Sequence, residues 1–293
     1  MIKRYAIKKI MVSTLGLILL LMFYFFPTKE ELNSEIIKDN SSKQIVYLLD
    51  DDNYVSQVVT YFDTNSIEDN IKKRIDILKT GINGFYPLLN NSIKLNNVKV
   101  DKDKVYLDFS SELLNINDYV KEYMIESITY SLTEINGIND IYITVNNNRV
   151  DFIEYPLNRN YGINKEYNIN NLDHLNKTTV FFSKTKDDIN YYVPVTKVSN
   201  LSSDKIDIII YELKSSINSQ NNLNSYINDN LKLVNYNIED NKMNLIFNNY
   251  IFNNDKILES VSYEISSSIF ENYDVNEITF NTEDEKNVLS VVK

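Results

Sequence analysis

The chain of 293 residues offers few side chains with the chemistry of an active site. Its single histidine, His174, sits among polar residues far from any obvious partner, whereas a hydrolytic triad needs a base held against a nucleophile. With no cysteine, disulfides, thiolate metal ligands and a thiol nucleophile are excluded together. Five glycines, none in a GxGxxG or GxxxxGK arrangement, leave no loop able to cradle phosphates. Oxygen ligands for a cation could come from Asp50, Asp51 and Asp52, or from Asp101 with Asp103. Neither stretch has the spacing and distal glutamate of a calcium loop, so both read as acidic turns between strands. Glu122 and Glu126 lie one helical turn apart and could be imagined as an acid/base pair. They flank an apolar stripe rather than interrupt it, which makes a solvated face the expectation. The sequence therefore assigns no catalytic, cofactor-binding or metal residue, and the expectation is a protein that is not an enzyme and takes no cofactor.

The elements that would carry such residues come in two matching sets. The segment Val100-Asp-Lys-Asp-Lys-Val-Tyr-Leu-Asp-Phe109 aligns with Ile238-Glu-Asp-Asn-Lys-Met-Asn-Leu-Ile-Phe247. In both, an acidic turn is followed by apolar residues two apart, Val105, Leu107 and Phe109 against Met243, Leu245 and Phe247, the pattern of a hairpin with one buried face. Upstream, Val46-Tyr47-Leu48 answers Val180-Phe181-Phe182, and Val58-Val59 answers Tyr192-Val193, a first hairpin around an acidic turn. A helix with Ile71, Ile75, Leu78 and Ile82 is answered by Ile206, Ile210, Leu213 and Ile217. Ser66, and Ser202 or Ser203, are the expected N-caps, and Gly81 and Gly84 the terminators of the first helix. A second helix with Val120, Met124, Ile128 and Leu132 is answered by Ile257, Val261, Ile265 and Ile269. A last strand with Ile138, Ile141 and Ile143 is answered by Val275, Ile278 and Phe280. The expected fold class is α+β: two tandem two-layer domains, each a small mixed sheet in the order β-β-α-β-β-α-β with two helices on one face.

Ahead of the domains, residues 10–26 contain no charged side chain and cover roughly 26 Å as a helix, close to the hydrocarbon thickness of a bilayer. Lys3, Arg4, Lys8 and Lys9 precede the run, so the N-terminus is expected to stay cytosolic with the remainder exported. A cleaved signal peptide is the competing reading, opposed by the rings of Phe23-Tyr24-Phe25-Phe26 where small residues would be needed. The resulting boundaries are a cytosolic start at 1–9, a transmembrane anchor at 10–26, a spacer at 27–43, a first domain at 44–153, a linker at 154–176 and a second domain at 177–290. A net charge of −11, without a basic run beyond the N-terminus, argues against a nucleic-acid partner.

The hairpin VKVDKDKVYLDFSSELL, the helix segment SITYSLTEI and the strand INDIYITVNNNRV resemble the GerM domain of sporulation and spore-germination proteins. The likeness covers residues 44–153 and, more faintly, 177–290. It implies tandem domains, similar to the ring-building motif of secretion-system rings, behind a membrane anchor. It also implies a place between the two membranes around a developing spore, where the protein would assist a channel or junction with protein partners or further copies of itself. Two departures stand out. Family members with a lipidated cysteine contrast with this cysteine-free chain, whose anchor must be the 10–26 helix. The glycine- and proline-bearing loop, here Gly84-Phe85-Tyr86-Pro87, has no counterpart in the Asn-rich second copy. The competing function class is a surface-anchored cell-wall enzyme or ligand-binding protein, for which no constellation of residues is found.

Overall fold

A computed structural model of the chain describes residues 42–293 except 83, 170–173, 188, 201, 215–221, 253–255 and 285–288. The apolar run at 10–26 and most of the spacer lie outside the described residues; among the described ones no helix is long and apolar enough to cross a membrane. The first copy comprises β1 (Lys43–Leu49), β2 (Val55–Tyr61), α1 (Ile67–Thr80), β3 (Leu95–Asp101), β4 (Lys104–Phe109), α2 (Asp118–Thr133), β5 (Asp140–Val145) and a short β6 (Asn148–Arg149). After β7 (Glu166–Asn168), the same order recurs as β8 (Asn176–Lys186), β9 (Ile189–Ser199), α3 (Lys205–Glu212), β10 (Leu233–Glu239), β11 (Lys242–Phe247), α4 (Glu259–Asn272), β12 (Glu277–Thr282) and β13 (Leu289–Val292). The α+β class and the tandem order follow the sequence pattern, with one further strand closing each copy.

The strands are shared out differently from the expectation of one sheet per copy. Each copy keeps a four-stranded sheet, β3-β4-β5-β6 or β10-β11-β12-β13, in which the middle pair is parallel because a helix crosses between its strands. The two leading hairpins leave those sheets and join each other. β2 runs antiparallel to β9, with Gln57 opposite Tyr192, so that β1, β2, β9, β8 and β7 form one five-stranded sheet. The reason lies in the side chains: Val46, Tyr47 and Leu48 are buried consecutively, as are residues 178–184. A strand buried without alternation must be covered on both faces, which the two-layer arrangement cannot supply.

Helix starts and stops are local. Ser66 caps α1 by accepting from the Asp69 amide, as expected. Gly81 ends the helix at a positive φ of 72°, where an added Cβ would meet the Phe85 carbonyl at 2.6 Å. For α3 the cap is Asp204 rather than Ser202 or Ser203. The segment 154–176 carries Leu157 and Ile163 into the first copy's core and supplies β7.

A candidate docking cleft at the seam between the two copies

Helices α2 and α4 both lie against the joint sheet through small hydroxyls. Ser131 Oγ accepts from the Tyr47 amide at 2.8 Å, and Ser268 Oγ accepts from the Phe181 amide at 2.9 Å. These are equivalent serines on equivalent helices, bound to equivalent strands. Because β1 and β8 are the sheet's outer strands, the contacts satisfy amides that would otherwise point outward unpaired. Three residues beyond each serine stands a glutamate, Glu134 or Glu271, and one arginine from the connecting segment joins them. Arg159 donates from Nη2 to Glu134 Oε1 at 2.7 Å and from Nη1 to Glu271 Oε2 at 2.6 Å, with Nε on Thr133 Oγ1 at 2.8 Å. Its guanidinium lies 4.5 Å from the Tyr130 ring centroid. Burial opposes charge on Arg159, but Glu271 and Glu134 outweigh it and hold the group firmly protonated. Burial raises Glu134 too, yet Arg159 and the Tyr47 hydroxyl bring it below its ordinary range.

The acidic turn after β1 makes the second crossing. Lys184 Nζ stands 2.8 Å from Asp50 Oδ2 and 2.5 Å from Asp52 Oδ2, and Lys186 Nζ stands 2.5 Å from Asp51 Oδ2. Tyr191 Oη donates to Asp50 Oδ2 at 3.1 Å. The place a cation would take is held by the Lys184 ammonium, which is itself buried. Among the described residues, no group of three or more acidic or histidine side chains is arranged to hold a metal ion. Asp103 accepts from Asn139 Nδ2 at 3.2 Å, while Asp101 is exposed and His174 stands exposed before β8.

A third crossing corrects the reading of Glu126, while that of Glu122 as a solvated residue stands. Glu122 is exposed and pairs with Lys165 at 2.8 Å, but Glu126 is only 1% exposed. The carboxylate accepts from the Asn164 amide at 3.0 Å, and burial pushes its pKa up to about 8. Asn164 in turn accepts from the Val55 amide at 2.8 Å and donates to the Val55 carbonyl at 2.9 Å and the Pro194 carbonyl at 2.7 Å. Pro194 has no N–H, so β9 cannot continue the ladder to β2 there, and the Asn164 amide fills the gap. The stripe of α2 concealed this, because residues 124–132 are buried on every side of the helix.

Beside Arg159 the seam opens into a cleft of about 1110 Å³, lined by Glu134, Asn158, Phe181, Tyr263, Phe270 and Glu271 among others. Tyr263 stacks on Tyr192 at 4.0 Å between centroids and donates to Gln57 Oε1 at 2.5 Å. The charged groups at the floor of this cleft are spent on one another. What the arrangement offers a visitor is shape, amides and aromatic edges.

Residues 45–151 match the family model described as Germane, sporulation and spore germination. Over 264 residues the chain is 28% identical to the spore germination protein GerM of Bacillus subtilis (strain 168), covering 83% of this chain and 71% of that one. The solved structure of the tandem GerMN domains of the B. subtilis sporulation protein GerM matches at a TM-score of 0.74 and 25% identity, over 85% of this chain and 96% of that structure. The chain is thus similar to GerM over most of its length, through both copies of the domain.

Within this GerM-like tandem, sequence reasoning missed the seam residues Arg159, Asn164 and Lys184, and also Arg74 of α1, whose partners all lie in the first copy. Arg74 is buried with no salt bridge among the described residues, donating to the Ile45 carbonyl, to the Ser131 carbonyl at 2.9 Å, to Gln44 Oε1 at 2.7 Å and to Asn70 Oδ1 at 2.7 Å. Burial lowers its pKa to about 10. One signal was available. Arginine occurs only four times in a lysine-rich chain, and a planar five-donor fork is the reason to prefer it over lysine.

Proposed function

We propose that this sporulation and germination protein is a non-enzymatic assembly module, held by residues 10–26 in a membrane of the sporulating cell with its tandem domains outside the cytosol. The observation that carries the reading is the seam: two domains joined by one sheet and by paired charges present partners with a single preformed surface. A preformed body loses little freedom on docking, which favours its use as a scaffold. Exposed tyrosines, Tyr119 at 87% and Tyr167 at 62% above all, supply contact area with a hydrogen-bonding tip. The family resemblance supports a place at the junction between mother cell and forespore. A fluorescent fusion followed through sporulation, with crosslinking, tests this: label should concentrate at the engulfing membranes together with engulfment-stage proteins. Uniform label on the vegetative envelope with no such proteins recovered would overturn it.

A further inference from the structure

The two copies share their cores but not their outer sheet faces. On the first copy, Tyr106 of β4 and Tyr142 of β5 are cross-strand neighbours, with rings stacked at 5.0 Å and 14° apart in plane. Tyr155, whose hydroxyl donates to the Ile143 carbonyl, continues the row at 6.1 Å and 1°. Lys99 Nζ lies 6.0 Å from the Tyr106 centroid at one end, and the Arg149 guanidinium lies 5.0 Å from the Tyr155 centroid at the other. Neither cation has a salt bridge among the described residues. In the second copy the matching registered pair is Asn244 and Thr279, and the counterpart of Lys99 is Asn237. The fold therefore closes without a tyrosine row, and the row needs another cause.

We propose that this tyrosine row is a docking surface for an acidic segment of another protein. The inference deepens the assembly reading and rests on it for the partner's presence. A sugar ring needs a free aromatic face to lie on, and these faces are turned toward each other or toward Lys99 and Arg149. What remains outward is ring edge, hydroxyl and two unneutralised cations, a set that suits carboxylates and backbone groups. The row occurs once per chain, which fits a one-to-one contact.

The test places the photo-crosslinking residue p-benzoylphenylalanine at Lys104, on the same face as the row, or at the matching Lys242, in the full chain in its own sporulating cells. The expected result is an adduct from the Lys104 position, mapped to an Asp- and Glu-rich segment of another protein, with none from the Lys242 position. Introducing Tyr106→Asn with Tyr142→Thr, residue types the second copy already carries there, should cut that adduct about tenfold, the scale of a lost tyrosine anchor. The surface is overturned if both positions give equal adducts, if the paired substitution changes nothing, or if the adduct joins two copies of this chain. No adduct from Lys104 while the same probe at Tyr119 captures a partner overturns the surface and leaves the assembly reading standing. If no position captures a partner and deletion of the gene leaves spore formation intact, both fall.

Discussion

Arg159 holds two glutamates that equivalent helices bring to the same place, and without it those carboxylates would face each other in a partly dry seam. Arg159→Ala should therefore cost about 3 kcal/mol in denaturant unfolding, the scale of breaking a buried pair from one side. Adding Glu134→Gln and Glu271→Gln to Arg159→Met should recover most of that loss; no recovery would mean that the guanidinium matters for packing and not for charge. Glu126 gives a pH dependence. Its pKa rises from 4.5 to about 8 on folding, so between those values the folded chain binds the extra proton. The stability it contributes is complete below the unfolded value and declines as pH rises through the folded one. Glu264, which burial pushes up to about 7, adds to the same slope at its lower end. Glu126→Gln should flatten the fall in stability between pH 5 and 8, by up to about 1.4 kcal/mol per pH unit. The exposed Glu122→Gln should not, and equal slopes in all three proteins would refute the assignment. The pattern around Glu126 made it look solvated because a helix shows its own stripe in sequence, but not what closes over its other side.

At the scale of elements, the seam depends on small hydroxyls where two backbones come close. Ser268→Ala would leave the Phe181 amide without its acceptor, which should cost about 1–3 kcal/mol. Hydrogen exchange at the Phe181 amide should quicken in that variant, and Ser131→Ala should do the same for Tyr47. Unchanged exchange at either amide would mean that water replaces the hydroxyl and that the outer strand is open. Strand alternation in β4 and β11 was plain in the sequence, since Val105, Leu107 and Phe109 repeat every second residue. Consecutive apolar residues such as Val180-Phe181-Phe182 carried a further message, a strand covered on both faces, but not the identity of the cover.

For the molecule as a whole, a shared sheet and three crossings bind the copies into one folding unit; the described chain from Ser42 onward is a single compact body. Calorimetry should record one transition in which the calorimetric and van't Hoff enthalpies agree. Two resolved transitions would mean that the copies unfold separately and that the seam is weak. Lys184→Met tests the same point from one side chain, since it strands Asp50 in a buried site; a seam that couples the copies should then give a single transition at lower temperature.

By itself, the sequence determined the elements and their duplication. Hydrophobic period, turn residues and the Ser66 cap act between near neighbours, and a core pattern laid down twice is visible without coordinates. Tertiary structure alone decided which sheet the leading hairpins join and which charges meet. Asp50 and Lys184 are 134 residues apart, and Arg159 reaches helices from both copies. An ion pair or an inserted amide such as Asn164 depends on distance and burial in the folded chain, and neither quantity has a period that a sequence can display.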